Sequence, residues 1–174
     1  MDSISTRNQI IKFGLYTAFF TVSFSLMQFF LGTHHENDII SALVGFLILF
    51  VGITICAYDF KKQHDGFINL KFVLKLGTGI SVINVLILIL YTLLLTNVIE
   101  PNFWETAWQI AYEKSIYENP EQMTNPRTGE FWTKEEFIGY FESRKNLVYP
   151  ITIITNLFLG FMFSLLLGLI IKKS

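Results

Sequence analysis

Two adjacent histidines and two nearby acids form a dense group of metal-ligand residue types. His34, His35, Glu36 and Asp38 lie in a short polar stretch between two apolar runs. Adjacent residues of a regular backbone point in different directions, and no spaced histidine or cysteine elsewhere completes a tetrahedral zinc set. The sequence therefore predicts solvated turn residues here, with no metal site and no cofactor.

Familiar enzyme motifs are missing from the chain. Gly77-Thr78-Gly79 begins like a dinucleotide fingerprint, but its third glycine position is Val82 and the segment lies inside an apolar run. All three histidines lie in polar turns, and no Asp, Glu or His lies deep in an apolar run. A buried nucleophile with its base, or a proton relay, therefore lacks its usual parts, and we expect no catalytic residues and no enzymatic activity.

Four nearly uncharged, apolar runs are the elements that must hold these polar segments in place. The chain is 52% hydrophobic and only 16% charged, which is not the composition of a soluble protein. The predicted spans cover about residues 10–31, 39–58, 70–98 and 147–171, and helices of these lengths extend about 30 Å or more, enough to cross a bilayer core. The runs are apolar on all sides, whereas a soluble bundle needs polar faces. The predicted fold is all-α, a single membrane domain over residues 1–174 with four transmembrane helices.

A hydrophilic segment over residues 99–146 separates the third and fourth spans. Trp104 and Trp108 recur at helical spacing, with Pro101 suited to the first helical position. Thr133 with Glu136 makes a capping-box pattern that predicts a second helix. We expect a helical extracytoplasmic excursion on the outer membrane face, because Trp and Tyr favour that interface, with a partner-binding lobe as the alternative.

Basic residues near the ends of the spans predict the orientation of the chain. With the N-terminus inside, eight of the thirteen Lys and Arg residues lie on the cytoplasmic side, and the other five fall in the long segment 99–146. The inner side then carries eight basic and three acidic residues, and the outer side five basic and eleven acidic residues. Because basic residues resist translocation, both termini are predicted to be cytoplasmic.

Small and polar residues recur on one side of the third and fourth spans. They predict close helix packing within one chain, with a substrate path or an oligomer interface as alternatives. Asn84 and Asn156 lie at similar depths, so we expect their amides to pair across an antiparallel contact. The predicted packing residues are Gly77, Ser81, Asn84, Asn156, Gly160, Ser164 and Gly168.

The order of these parts resembles that of a known family. An apolar helical hairpin is followed by a Lys-rich turn running into Asp65-Gly66-Phe67-Ile68-Asn69, a Gly/Ser-bearing helix, an acidic stretch after Glu100-Pro101-Asn102-Phe103 and a final helix closing with Lys172-Lys173. The chain thereby resembles the bacterial membrane proteins classed as domain of unknown function 4199. That resemblance implies a multi-pass protein of the bacterial cytoplasmic membrane, and it supplies no catalytic residue.

The favoured functional hypothesis is a non-enzymatic multi-pass protein with an interaction or scaffolding role. A subunit of a small transporter or channel, using the Asn/Ser/Gly faces of the third and fourth spans, is the alternative, followed by a lipid-active enzyme. Expected partners are the lipid bilayer and either a second copy of the chain or another membrane protein, with no nucleic acid. A water-filled cavity reaching Asn84 and Asn156 favours transport, and dry helix packing favours the interaction role.

Overall fold

The computed structural model describes residues 6–36, 39–118, 120–126 and 128–171, with only the backbone of residue 122. Asp38 lies outside these residues. Within them the chain is helical, with no strand and one isolated β-bridge between Thr124 and Phe131. The α-helices are α1 (Thr6–Leu31), α2 (Ile39–Gln63), α3 (Leu70–Leu94), α4 (Phe103–Glu118), α5 (Lys134–Glu142) and α6 (Val148–Ile171). A π-helical turn, Leu95–Ile99, extends α3, and short 3-10 turns cover Pro120–Met123 and Lys145–Leu147.

Four of these helices, α1, α2, α3 and α6, are long and apolar enough to cross a membrane. Their outward sides carry large apolar side chains: Phe19 is 67% exposed, Phe30 81%, Ile154 67% and Ile170 78%. An apolar surface of this extent must be covered by the hydrocarbon of a bilayer, because a protein that exposed it to water would aggregate. The chain is therefore a multi-pass membrane protein, and the predicted all-α fold with four spans is confirmed.

The core of the bundle forms around α3, which packs most extensively against α6 and α1. Val73, Leu76 and Ile80 lie at successive turns of α3 and are fully buried. The helix begins at a local signal, since the Asn69 side chain accepts a hydrogen bond of 3.0 Å from the Phe72 amide. Just before it, Gly66 reverses the chain with a φ of +84°, a conformation that glycine adopts without strain.

The α4–α5 segment, residues 103–142, forms a folded unit that we call the lobe. Met123, Trp132 and Phe137 make a small core of its own. The capping box predicted for Thr133 and Glu136 is present and opens α5.

The prediction that Pro101 occupies the first helical position is wrong, because the chain turns before α4 begins. The Phe103 amide bonds the Glu100 carbonyl at 2.9 Å, and the first helical bond runs from Thr106 to Asn102 at 3.1 Å. Pro101 therefore lies in the turn between the π-helical segment and α4, two residues before the helix.

Hydrogen bonds identify the two ends of the bundle. The Gln9 amide donates to Asp59 at 3.2 Å and to Gln63 at 3.1 Å, and Lys61 donates to the Ile171 carbonyl at 2.8 Å. The start of α1, the α2–α3 turn and the end of α6 thus share one end, which we call the terminal end. The α1–α2 turn and the lobe share the other, the lobe end.

Candidate functional site

The most extensive contact in the bundle lies between α3 and α6, and we call it the seam. All seven residues predicted to pack helices lie in it. A Cβ atom added to Gly77 would lie 1.6 Å from the Ser164 Oγ, and one added to Gly160 would lie 1.7 Å from the Ser81 Oγ. Each serine thus fills the space that a side chain on the facing glycine would occupy. The two backbones can approach this closely only because both glycines lack a side chain.

Farther along the seam, two amides pair inside the protein. The Asn84 Nδ2 donates to the Asn156 Oδ1 at 3.4 Å, and the Asn156 Nδ2 donates to the Thr152 carbonyl at 3.1 Å. The Thr21 hydroxyl of α1 lies 3.0 Å from the Asn84 Oδ1. Sequence reasoning missed Thr21, although Thr17, Thr21 and Ser25 share one side of α1 at helical spacing. The amides are therefore matched by protein groups, as a bilayer interior requires.

At the lobe end, the two adjacent histidines converge on one carboxylate. His34 Nε2 lies 2.8 Å from Glu100 Oε2, and His35 Nε2 lies 3.0 Å from Glu100 Oε1. The imidazole ring centroids are 4.0 Å apart, and the ring of Phe103 stacks on His35 at 5.1 Å. The prediction that these histidines diverge is wrong, because they lie in an irregular turn and not on a regular backbone.

Glu100 reaches the histidines because α3 ends in the π-helical turn Leu95–Ile99. The Glu100 amide closes that turn by donating to the Leu95 carbonyl at 2.8 Å. A π-helical turn is wider than an α-helical one, so it changes the direction of the next side chain, and such turns are frequent at functional sites. The sequence shows Glu100 only as a polar residue after the third apolar run, and no local pattern indicates that it contacts the two histidines.

The electrostatics of the cluster favour an ionised carboxylate. Partial burial of Glu100 opposes ionisation, but the hydrogen bond from His34 and the positive charge of both histidines outweigh it and hold the pKa of Glu100 below its ordinary value. Two nitrogens, His34 Nδ1 and His35 Nε2, are buried without a hydrogen-bond partner. The approach of His35 Nε2 to Glu100 is thus a close contact without hydrogen-bonding geometry.

A cavity of about 560 Å³ opens beside the histidines. His34 and His35 line one side of it, and Trp104, Trp108 and Lys114 of α4 line the other. Aromatic surface next to a few polar groups is typical of sites that hold a small ligand.

A second cavity, of about 570 Å³, lies between α1 and α2 within the spans and is lined almost wholly by apolar side chains, among them Phe20 and Val51. Neither cavity includes Asn84 or Asn156.

Comparison with known proteins gives one match. A family model described as "Protein of unknown function (DUF4199)" matches residues 12–173, nearly the whole chain. No curated protein and no solved structure matches the chain.

Proposed function

The chain belongs to the DUF4199 family of proteins of unknown function, and we propose that it is a non-catalytic interaction protein of the bacterial cytoplasmic membrane. In this proposal the lobe lies outside the cell and binds another membrane protein, while the four spans anchor it. The observation that carries the proposal is the separate aromatic core of the lobe. Connections between neighbouring helices usually need only a few residues, whereas this one is a folded unit with two helices.

The surface of the lobe supports a role in recognition. Tyr117, near the end of α4, is 87% exposed, and Phe131, in the segment that leads to α5, is 53% exposed. Residues 103–142 carry eight acidic and three basic side chains, so a partner with a basic surface is favoured. Exposed aromatic side chains are enriched at protein contact sites.

The packing of the spans argues against the transporter alternative. A path through the bundle would need polar side chains facing water, but Asn84 is 2% exposed and its amide is matched by Thr21 and Asn156. Gly77 and Gly160 allow the backbones of α3 and α6 to lie in direct contact. The seam therefore supports an anchoring function for the spans.

Photo-crosslinking in living cells tests the interaction. A photoreactive phenylalanine analogue replaces Tyr117 on the lobe in one variant and Phe67, 60% exposed in the α2–α3 turn, in a matched control. We expect an adduct of discrete mass from position 117 and none from position 67. The mass of the adduct separates a second copy of the chain from a different protein. Absence of any adduct at position 117 contradicts the proposal.

A flux measurement decides between the proposal and the transporter alternative. Liposomes that contain the purified protein should release an entrapped small solute no faster than liposomes without protein. Release that Asn84→Leu abolishes would make the spans a path and replace the proposal.

The proposed orientation has its own test. Among the residues that the structure describes, six basic side chains lie at the terminal end, and such residues stay on the cytoplasmic side: Arg7, Lys12, Lys61, Lys62, Lys71 and Lys75. In a Cys56→Ala background, a cysteine at His64 should be protected from an impermeant thiol reagent in intact cells, and a cysteine at Pro120 should react. The reverse pattern of labelling would place the lobe in the cytoplasm.

A further inference from the structure

We propose that His34, His35 and Glu100 bind a divalent transition-metal ion, with Zn²⁺ as the first candidate. The inference does not depend on the proposed interaction role, since it concerns only the cluster at the lobe end. One potential ligand atom from each residue lies within 4.8 Å of the other two. The three residues come from two separate segments, the α1–α2 turn and the end of the π-helical extension of α3.

The distances fit a metal ion after a small adjustment. Ligand atoms at about 2.0–2.2 Å from one tetrahedral zinc ion lie roughly 3.3–3.6 Å apart. The two imidazole nitrogens now lie 2.8 Å and 3.0 Å from the carboxylate oxygens. An opening of about half an ångström, which side-chain rotation supplies, thus brings each nitrogen and the oxygen facing it to the spacing of zinc ligands.

The donor set selects the class of metal. Two imidazoles with one carboxylate suit zinc and the neighbouring transition metals, and the same two-histidine, one-glutamate set occurs in zinc enzymes that keep a fourth position open. Magnesium and calcium prefer oxygen ligands only, so two imidazoles disfavour them. The absence of a thiolate among the three ligands disfavours soft ions such as copper(I).

Burial and charge both favour a cation at this position. The side chains of His34 and His35 are each only 11% exposed, and His35 Nε2 is buried without a hydrogen-bond partner. Coordination to a metal ion would satisfy that nitrogen, whose lack of a hydrogen bond is otherwise costly. The lobe next to the cluster is acidic and raises the local concentration of cations. The histidines also line the 560 Å³ cavity, so the open coordination position is within reach of a ligand held there.

Zinc titration of the full-length protein tests the site. The protein is purified in detergent with an affinity tag that contains no histidine, stripped with a chelator and titrated with Zn²⁺ against a chromogenic zinc indicator. We expect one tight equivalent per chain, which Mg²⁺ does not displace. Glu100→Gln keeps the shape of the side chain, removes the charge, and should weaken binding by at least about 10 to 100-fold, the loss seen even for residues that only support metal ligands.

Two matched variants control for non-specific binding. Glu36→Gln removes a neighbouring carboxylate, and His64→Gln removes the histidine at the terminal end. Both should bind Zn²⁺ as the unaltered protein does. Zn²⁺ should also raise the unfolding temperature of the unaltered protein and of Glu36→Gln, but not that of Glu100→Gln.

The outcomes are decisive in either direction. If the Glu100→Gln protein is not folded, His35→Asn replaces it, with folding checked by tryptophan fluorescence. Loss of the tight equivalent in a folded ligand variant, with both controls intact, supports the metal site. Failure of the unaltered protein to bind Zn²⁺ more tightly than the folded ligand variant overturns it, and the cluster is then only a structural contact between the two histidines and the glutamate.

Discussion

Replacing Gly77 with alanine tests whether the seam depends on the absence of a side chain. The new Cβ would lie 1.6 Å from the Ser164 Oγ, 2.9 Å from the Ser164 Cβ and 3.2 Å from the Gly160 carbonyl oxygen. Rotation of the serine hydroxyl relieves only the first contact, because the other two atoms are fixed by the backbone of α6. The helices must therefore separate by several tenths of an ångström.

Two opposing effects set the size of the loss. Overpacking costs about 1–3 kcal/mol, and this position is near the upper end because two of its contacts cannot rotate away. Alanine recovers about 1 kcal/mol through its higher helix propensity than glycine. We expect a net loss of about 2 kcal/mol in the free energy of unfolding, which corresponds to roughly 4–8 °C in Tm for a chain of this size.

Thermal unfolding in detergent measures the loss, with the lone cysteine as the reporter. Cys56 is fully buried, so a dye that becomes fluorescent on reaction with thiols reports unfolding directly. Gly45→Ala is the matched control, because nothing lies within 4 Å of a Cβ at that position of α2. It should leave the Tm unchanged or raise it slightly.

A second substitution asks whether Ser164 causes the clash. In Gly77→Ala/Ser164→Gly the serine side chain is gone, so only the 3.2 Å contact to the Gly160 carbonyl remains. We expect the double variant to recover part of the Tm that Gly77→Ala loses. A Gly77→Ala protein as stable as the unaltered one, or a Gly45→Ala protein that loses as much, would refute the account of the seam.

The amide pair, the cap of α5 and the two indoles of α4 can each be tested by substitution. Asn84→Leu and Asn156→Leu should each lower the Tm, with a coupling energy of about 0.6 and at most about 2 kcal/mol in a double-mutant cycle, and strictly additive losses would show that the amides do not pair. Thr133→Ala removes the cap of α5 and should cost about 1 kcal/mol, seen as faster hydrogen exchange confined to the lobe. In variants that retain only Trp104 or only Trp108, lipid-borne quenchers should reduce the fluorescence, and quenching by aqueous iodide alone would place the indoles in water.

Local sequence signals predicted much of this structure. The capping box predicted at Thr133 depends on two residues only three positions apart, and the structure contains it. The seam was also predictable, because small residues at helical spacing on two spans identify the sides that can approach closely. Thr21 was harder to assign, since its contact with Asn84 depends on how α1 rotates against α3.

The histidine cluster was missed because its partner is distant in sequence and is positioned by an irregular turn. Glu100 lies 66 residues after His34, and the π-helical turn that redirects it has no sequence signature.

The packing of the seam also affects the histidine cluster. Glu100 follows Asn84 by sixteen residues and comes directly after the π-helical extension of α3, about 24 Å along the axis, so a shift of α3 moves the carboxylate relative to the α1–α2 turn. Close packing inside the bilayer and the geometry of the proposed metal site therefore depend on one helix, and a seam variant such as Gly77→Ala should weaken Zn²⁺ binding although it touches no ligand.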